Sequence, residues 1–191
     1  VQNSISEIPS QSGSVTYNGS AQKPSWNNLA LEMMTIAYGE EKTAAEDYTG
    51  ETDAGTYKAY ITPKEGYTWG DKSADEKEVP WTIGRATVTT APSVAGKLTY
   101  TGEAQTPTWQ GFDPDKLAKT ETAQTDAGDY STSFTPTKNY QWSGGDTSAR
   151  TVQWTIERAA IASVPEQSGS LTYTGSAQSP AWTGYDSAKL T

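Results

Sequence analysis

The sequence predicts an all-β chain made of small sandwiches in tandem, and three observations carry that expectation. The first is composition: Thr, Tyr, Trp and Val are abundant, while 17 Gly and 10 Pro punctuate the chain, as in short strands joined by turns. The second is a phrase written three times. VTYNGSAQKPSW (Val15–Trp26) returns as LTYTGEAQTPTW (Leu98–Trp109) and LTYTGSAQSPAW (Leu171–Trp182), which sets Tyr17, Tyr100 and Tyr173 at steps of 83 and 73 residues. The third is a set of later phrases at the shorter step, TDAGTY with TDAGDY and EVPWTI with TVQWTI. These steps divide the chain into units 1–84, 85–157 and 158–191. An array of one small unit is expected to be scaffolding or a binding surface.

Each unit opens with an apolar stretch before a proline, Ile5–Pro9, Val88–Pro92 and Ile161–Pro165. This reads as a first strand near an edge, where the missing N–H of proline does no harm. A hairpin is expected next, turning at Asn18-Gly19, Thr101-Gly102 and Thr174-Gly175, with the glycine supplying a positive φ. Its returning arm ends at Trp26, Trp109 or Trp182, each large enough to anchor a core. The segments Gly111–Leu117 and Gly184–Leu190 follow as turns whose aromatic and Leu cap one end of the sandwich. In the first unit this region carries ten extra residues, predicting a strand over Met33–Tyr38 and then an acidic loop.

The two long strands give the clearest periodicity. Tyr57, Ala59 and Ile61 alternate with Lys58 and Tyr60, and Tyr130, Thr132 and Phe134 alternate with Ser131 and Ser133, so one face points inward. Val79, Trp81 and Ile83 match Val152, Trp154 and Ile156 in the closing strand, with Pro80 on the outward side. Only Gly84-Arg85-Ala86 and Glu157-Arg158-Ala159 separate one unit from the next. Connections this short restrict the angle between neighbours and predict a stiff, extended string. Strands from Ile161 onward do not suffice to close a sandwich of their own.

Composition also bounds chemistry. The chain has no Cys and no His, so disulfides, thiolate ligands, thiol nucleophiles and imidazole bases are all absent. The net charge of −9 repels phosphate backbones and anionic lipid, so neither nucleic acid nor a membrane surface is expected as a partner. The start VQNSISEIP has neither the basic nor the apolar region of a signal peptide, and no apolar run reaches the roughly 20 residues of a membrane span. Any export signal or anchor is expected outside these residues. The acidic run Glu40, Glu41, Glu46, Asp47 and Glu51 matches no EF-hand spacing and reads as a solvated loop rather than a calcium site. No cofactor, catalytic residue or metal ligand is assigned. Tyr67 and Trp69, repeated as Tyr140 and Trp142, lie beside Gly-rich turns and are the candidate ligand-contact aromatics, if their rings are exposed for stacking on sugars; strand-spaced aromatics otherwise serve as core.

Asp53-Ala54-Gly55-Thr56-Tyr57 and Asp126-Ala127-Gly128-Asp129-Tyr130 resemble the tyrosine corner of immunoglobulin-like sandwiches, with Asp53, Gly55, Tyr57, Asp126, Gly128 and Tyr130 as the structural motif. Joined to Tyr-(Asn/Thr)-Gly-x-Ala-Gln-x-Pro, Gly-Tyr-x-Trp and the closing Trp-Thr-Ile, they resemble the tandem immunoglobulin-like repeats of bacterial surface proteins, the MBG/YDG type. The resemblance implies a non-enzymatic stalk or multivalent adhesive array, extracellular and attached to the cell wall or secreted. Its partners would be neighbouring repeats and a protein or glycan ligand, and linked weak sites gain on the order of 10² or more in avidity. A carbohydrate-binding accessory domain of a secreted enzyme and a phage surface-decoration domain are the alternative readings.

Overall fold

The structure is a computed structural model that describes residues 3–191. Those residues form strands and turns and no helix. In the first unit the strands are β1 (Asn3–Ile5), β2 (Ser10–Ser12), β3 (Val15–Thr16), β4 (Ser25–Asn27), β5 (Met34–Tyr38), β6 (Thr43–Ala44), β7 (Gly55–Pro63), β8 (Tyr67–Trp69) and β9 (Lys77–Gly84). Five of them make one sheet in the order β3-β9-β7-β5-β6, in which only the β3–β9 pair is parallel. The remaining four pair in twos, β1 parallel to β8 and β2 antiparallel to β4.

Alternation explains which face of the large sheet is dry. Met34, Ile36 and Tyr38 of β5, Ala59 and Ile61 of β7, and Val79, Trp81 and Ile83 of β9 are buried together with Ile5 and Trp69 from β1 and β8. Their strand neighbours point outward, as period 2 requires. Lys58 and Glu78, for example, meet across the outer face at 3.4 Å. Pro80 lies opposite Lys58, and β3 covers only Ile83 and Gly84 of β9. No ladder bond from β3 is therefore lost at the proline.

The second unit has β10 (Ala86–Val88), β11 (Ser93–Ala95), β12 (Leu98–Thr99), β13 (Thr108–Gln110), β14 (Leu117–Thr120), β15 (Gly128–Pro136), β16 (Tyr140–Trp142) and β17 (Arg150–Glu157). Its sheet runs β12-β17-β15-β14, with β10 parallel to β16 and β11 antiparallel to β13. The order repeats that of the first unit, except that β6 has no counterpart because it belongs to the inserted segment. Leu117, Phe134 and Trp142 form the centre of a second core, with Val88, Trp109 and Phe112 packed on it. Both arrangements are of the β-sandwich class. Residues 158–191 contribute β18 (Glu166–Ser168) and β19 (Ala181–Thr183), an antiparallel pair whose Trp182 is 54% exposed.

The hairpin expected at Asn18-Gly19 is corrected. A turn does form there, with Gly19 at φ 82° and the Ser20 N–H donating to Asn18 Oδ1. Its arms, however, do not pair. Val15–Thr16 runs beside Ile83–Gly84, and Gln11 of β2 faces Trp26 of β4 instead. The repeated Gln holds the intervening loop: Gln22 Nε2 donates to the Thr16 carbonyl at 3.0 Å, Gln105 to Thr99 at 3.2 Å and Gln178 to Thr172 at 3.0 Å. A side-chain amide thus satisfies the carbonyl that a hairpin partner would have taken.

Candidate functional site: the joint between the first two units

The Asp-Ala-Gly phrase precedes β7 and β15, and its Tyr folds back over it. Tyr57 Oη donates to the Asp53 carbonyl at 2.7 Å, and Tyr130 Oη to the Asp126 carbonyl at 2.8 Å. The tyrosine ring lies close against the glycine. A Cβ on Gly55 would stand 3.4 Å from the Tyr57 ring, and one on Gly128 would stand 3.3 Å from Tyr130 Oη. All six motif residues named from the sequence are therefore brought together in two matching corners.

With its carbonyl taken by Tyr57, Asp53 turns its carboxylate toward the second unit. Oδ2 meets Lys138 Nζ at 2.7 Å, and Oδ1 accepts from Asn139 Nδ2 at 2.9 Å. The same Asn139 amide accepts the Ala54 N–H through Oδ1 at 2.8 Å. One side-chain amide thus spans both polar groups of the corner. The backbone follows: Arg85 Nε donates to the Lys138 carbonyl at 3.0 Å, and the Ala86 N–H donates to the Asn139 carbonyl at 2.9 Å. Tyr17 and Tyr140 complete the contact edge to face, with ring centroids 5.5 Å apart at 74°. The Lys138 ammonium and the Asn139 amide hold the Asp53 carboxyl below its ordinary value, and Asp53 raises the Lys138 ammonium.

The candidate ligand-contact aromatics lie elsewhere. Trp69 and Trp142 are core residues, 2% and 0% exposed, and their indole N–H groups donate to the Asp75 and Ser148 carbonyls. Tyr67 is half-buried against the first core, while Tyr140 faces Tyr17 in the joint. Stacking on a sugar needs open ring faces, which neither Trp presents. In the acidic loop, Glu40 pairs with Lys58 at 3.3 Å and Glu51 accepts from Tyr48 Oη at 3.1 Å. Among the described residues no group of three or more acidic side chains is assembled to hold a metal ion.

A second buried network was not anticipated from the sequence. Trp109 Nε1 and Thr132 Oγ1 donate to Glu121, Lys119 pairs with the same carboxylate at 2.7 Å, and Trp154 Nε1 donates to Thr132 Oγ1 at 3.1 Å. In the first unit the same places hold Tyr38 and Ala59: Trp26 Nε1 donates to Tyr38 Oη at 2.9 Å, and Tyr38 stacks on Tyr48 at 4.3 Å. Trp81 Nε1 there has no acceptor among the described residues, and its ring stands edge-on to Tyr48 at 87°. Tyr38 and Glu121 lie 83 residues apart, as do Trp26 and Trp109. That shared step was the available signal. The joint residues Lys138 and Asn139 gave none, because the first unit has Glu65 and Gly66 in their places.

Comparison of the chain with protein-family models, with curated proteins and with solved structures found no match.

Proposed function

We propose that the chain is a non-enzymatic structural module, a stack of immunoglobulin-like units that serves as a stalk or multivalent adhesive array of a bacterial cell-surface or secreted protein. The observation that carries this reading is the joint. Residues of the tyrosine corner are used twice, once to close their own unit and once to grip the next, which is what a stiff string of units requires. The very short connection at Gly84-Arg85-Ala86 adds to it. The phrases that recur are spent on framework: loop-holding Gln, core Trp, corner and closing strand. The resemblance to bacterial surface repeats supplies the location.

Small-angle scattering tests the reading. A compact chain of this length has a radius of gyration of about 16 Å. A stalk gives a distinctly larger value that stays constant between low and high salt. A value near the compact figure would contradict it.

A further inference from the structure

The first joint is a template for a face that lies further along the chain. In that joint β16 runs parallel to Ala86–Val88, plants its leading tip Lys138-Asn139 on Asp53-Ala54, and sets Tyr140 against Tyr17. The second unit repeats the receiving half residue by residue. Tyr100 stands for Tyr17, Asp126-Ala127 for Asp53-Ala54, and Arg158-Ala159-Ala160-Ile161 for Arg85-Ala86-Thr87-Val88. These residues line one cleft of about 570 Å³, whose far wall is Ala188 and Lys189.

The receiving half is unfilled in several independent respects. Tyr100 is 42% exposed where Tyr17 is half-buried, and Ile161 is 51% exposed where Val88 packs on the second core. Residues 159–161 form no strand, whereas 86–88 form β10. The Asp126 carbonyl is used by Tyr130, but its carboxylate enters no ion pair among the described residues.

We propose that this face is a second socket, and that its occupant is an extended segment patterned on Lys138-Asn139-Tyr140-Gln141-Trp142 that runs parallel to Ala159–Ile161 and belongs to the same unit as that strand, as β16 belongs with β10. The chemistry follows from the template. An Asn amide bridges the Asp126 carboxylate and the Ala127 N–H, a Lys ammonium meets the other carboxylate oxygen, a Tyr ring packs on Tyr100, and the Arg158 guanidinium takes the Lys carbonyl. The first unit's own tip is excluded: it reads Lys64-Glu65-Gly66-Tyr67, which sets a carboxylate toward Asp126 and offers no amide. The tip of the second unit is already held by Asp53. Neither of these two tips therefore fits the socket of a second copy.

The inference rests on the array reading, and the experiment separates the two. Residues 119–157 are copied onto the chain after Thr191, giving the third unit its own Lys-Asn-Tyr-Gln-Trp segment, and amide hydrogen exchange is followed at Ala54 and Ala127 together with Trp182 fluorescence. Burial of Trp182 with Ala127 exchange slowed about tenfold or more, to the protection of Ala54, is expected. Asp126→Ala, or glycine at the copied Asn139, restores fast exchange while Trp182 stays buried. Unchanged Ala127 exchange beside a buried Trp182 overturns the socket. Should the added residues leave Trp182 exposed, the peptide Thr137–Ser143 is titrated into the original chain: a saturable Ala127 shift abolished by Asp126→Ala supports the socket, and no shift at about 1 mM peptide overturns it. Fast exchange at Ala54 in the original chain would instead sink the array reading.

Discussion

At the scale of single residues, the tyrosine corner shows how a short phrase becomes a geometric constraint. Tyr57 and Tyr130 each reach back four residues to a carbonyl, and the ring lies against the intervening glycine. Tyr130→Phe removes only the hydroxyl and is expected to destabilise the second unit by about 1 kcal/mol, read from chemical denaturation. Gly50 makes a sharper case. It sits at φ 105°, and a Cβ there would lie 2.6 Å from the Gln22 carbonyl oxygen beside the Gln22–Glu51 bridge. Gly50→Ala is expected to cost about 2 kcal/mol or more, and no loss in thermal stability would show that the loop backbone is not fixed as described. The corner was legible because its residues sit together in sequence and recur. Gly50 was not, since the second unit has Ala123 at that place and only the local backbone path makes glycine necessary.

At the scale of strands, period 2 located the long ones well: of the residues the pattern marked in β7, β9, β15 and β17, all are buried except Tyr57, Tyr130 and Val152, which are half-buried. The short strands were less legible. Asn18-Gly19 carries a real turn, yet the decisive competitor was Gln22, whose side chain occupies the Thr16 carbonyl. Pairing of distant segments such as β3 with β9 leaves no local trace in so short a run. The replacement of Tyr38 by Glu121 was equally hidden, because a charged residue just past the end of a strand reads as solvent-facing. Glu121 faces inward, with its side chain 8% exposed. Burial alone raises its carboxyl, but hydrogen bonds from Lys119 and Trp109 outweigh it and hold the group below its ordinary value of 4.5. A depressed carboxyl stabilises the fold above its unfolded pKa, and that contribution is lost as pH falls through the folded value. Glu121→Ala leaves Trp109 Nε1, Thr132 and Lys119 without their acceptor and is expected to cost about 2 kcal/mol at neutral pH. The wild-type advantage over this variant should shrink below pH 4.5. An equal gap at pH 7 and pH 3 would remove the carboxylate from the account.

At the scale of the whole molecule, the claim is that adjacent units are held rather than merely linked. Asp53 is the point where folding within a unit and contact between units meet. Its lowered pKa makes the joint strongest above the ordinary carboxyl value of 3.8, weakening as pH falls through the lowered one. The raised Lys138 ammonium stabilises the joint below its ordinary value of 10.5, an advantage lost as pH rises through the folded value. The joint is therefore expected to be insensitive to pH across the neutral range and to loosen in acid. The sequence signalled short connections but not the clamp, because Lys138 and Asn139 are the residues in which the second unit differs from the first. The most direct measurement is a set of residual dipolar couplings from residues 3–84 and 86–157 of the intact chain, at neutral pH and after Asp53→Ala. A single alignment tensor is expected to fit both units in the wild type, and the substitution to separate them into two. Two different tensors in the wild type would contradict it.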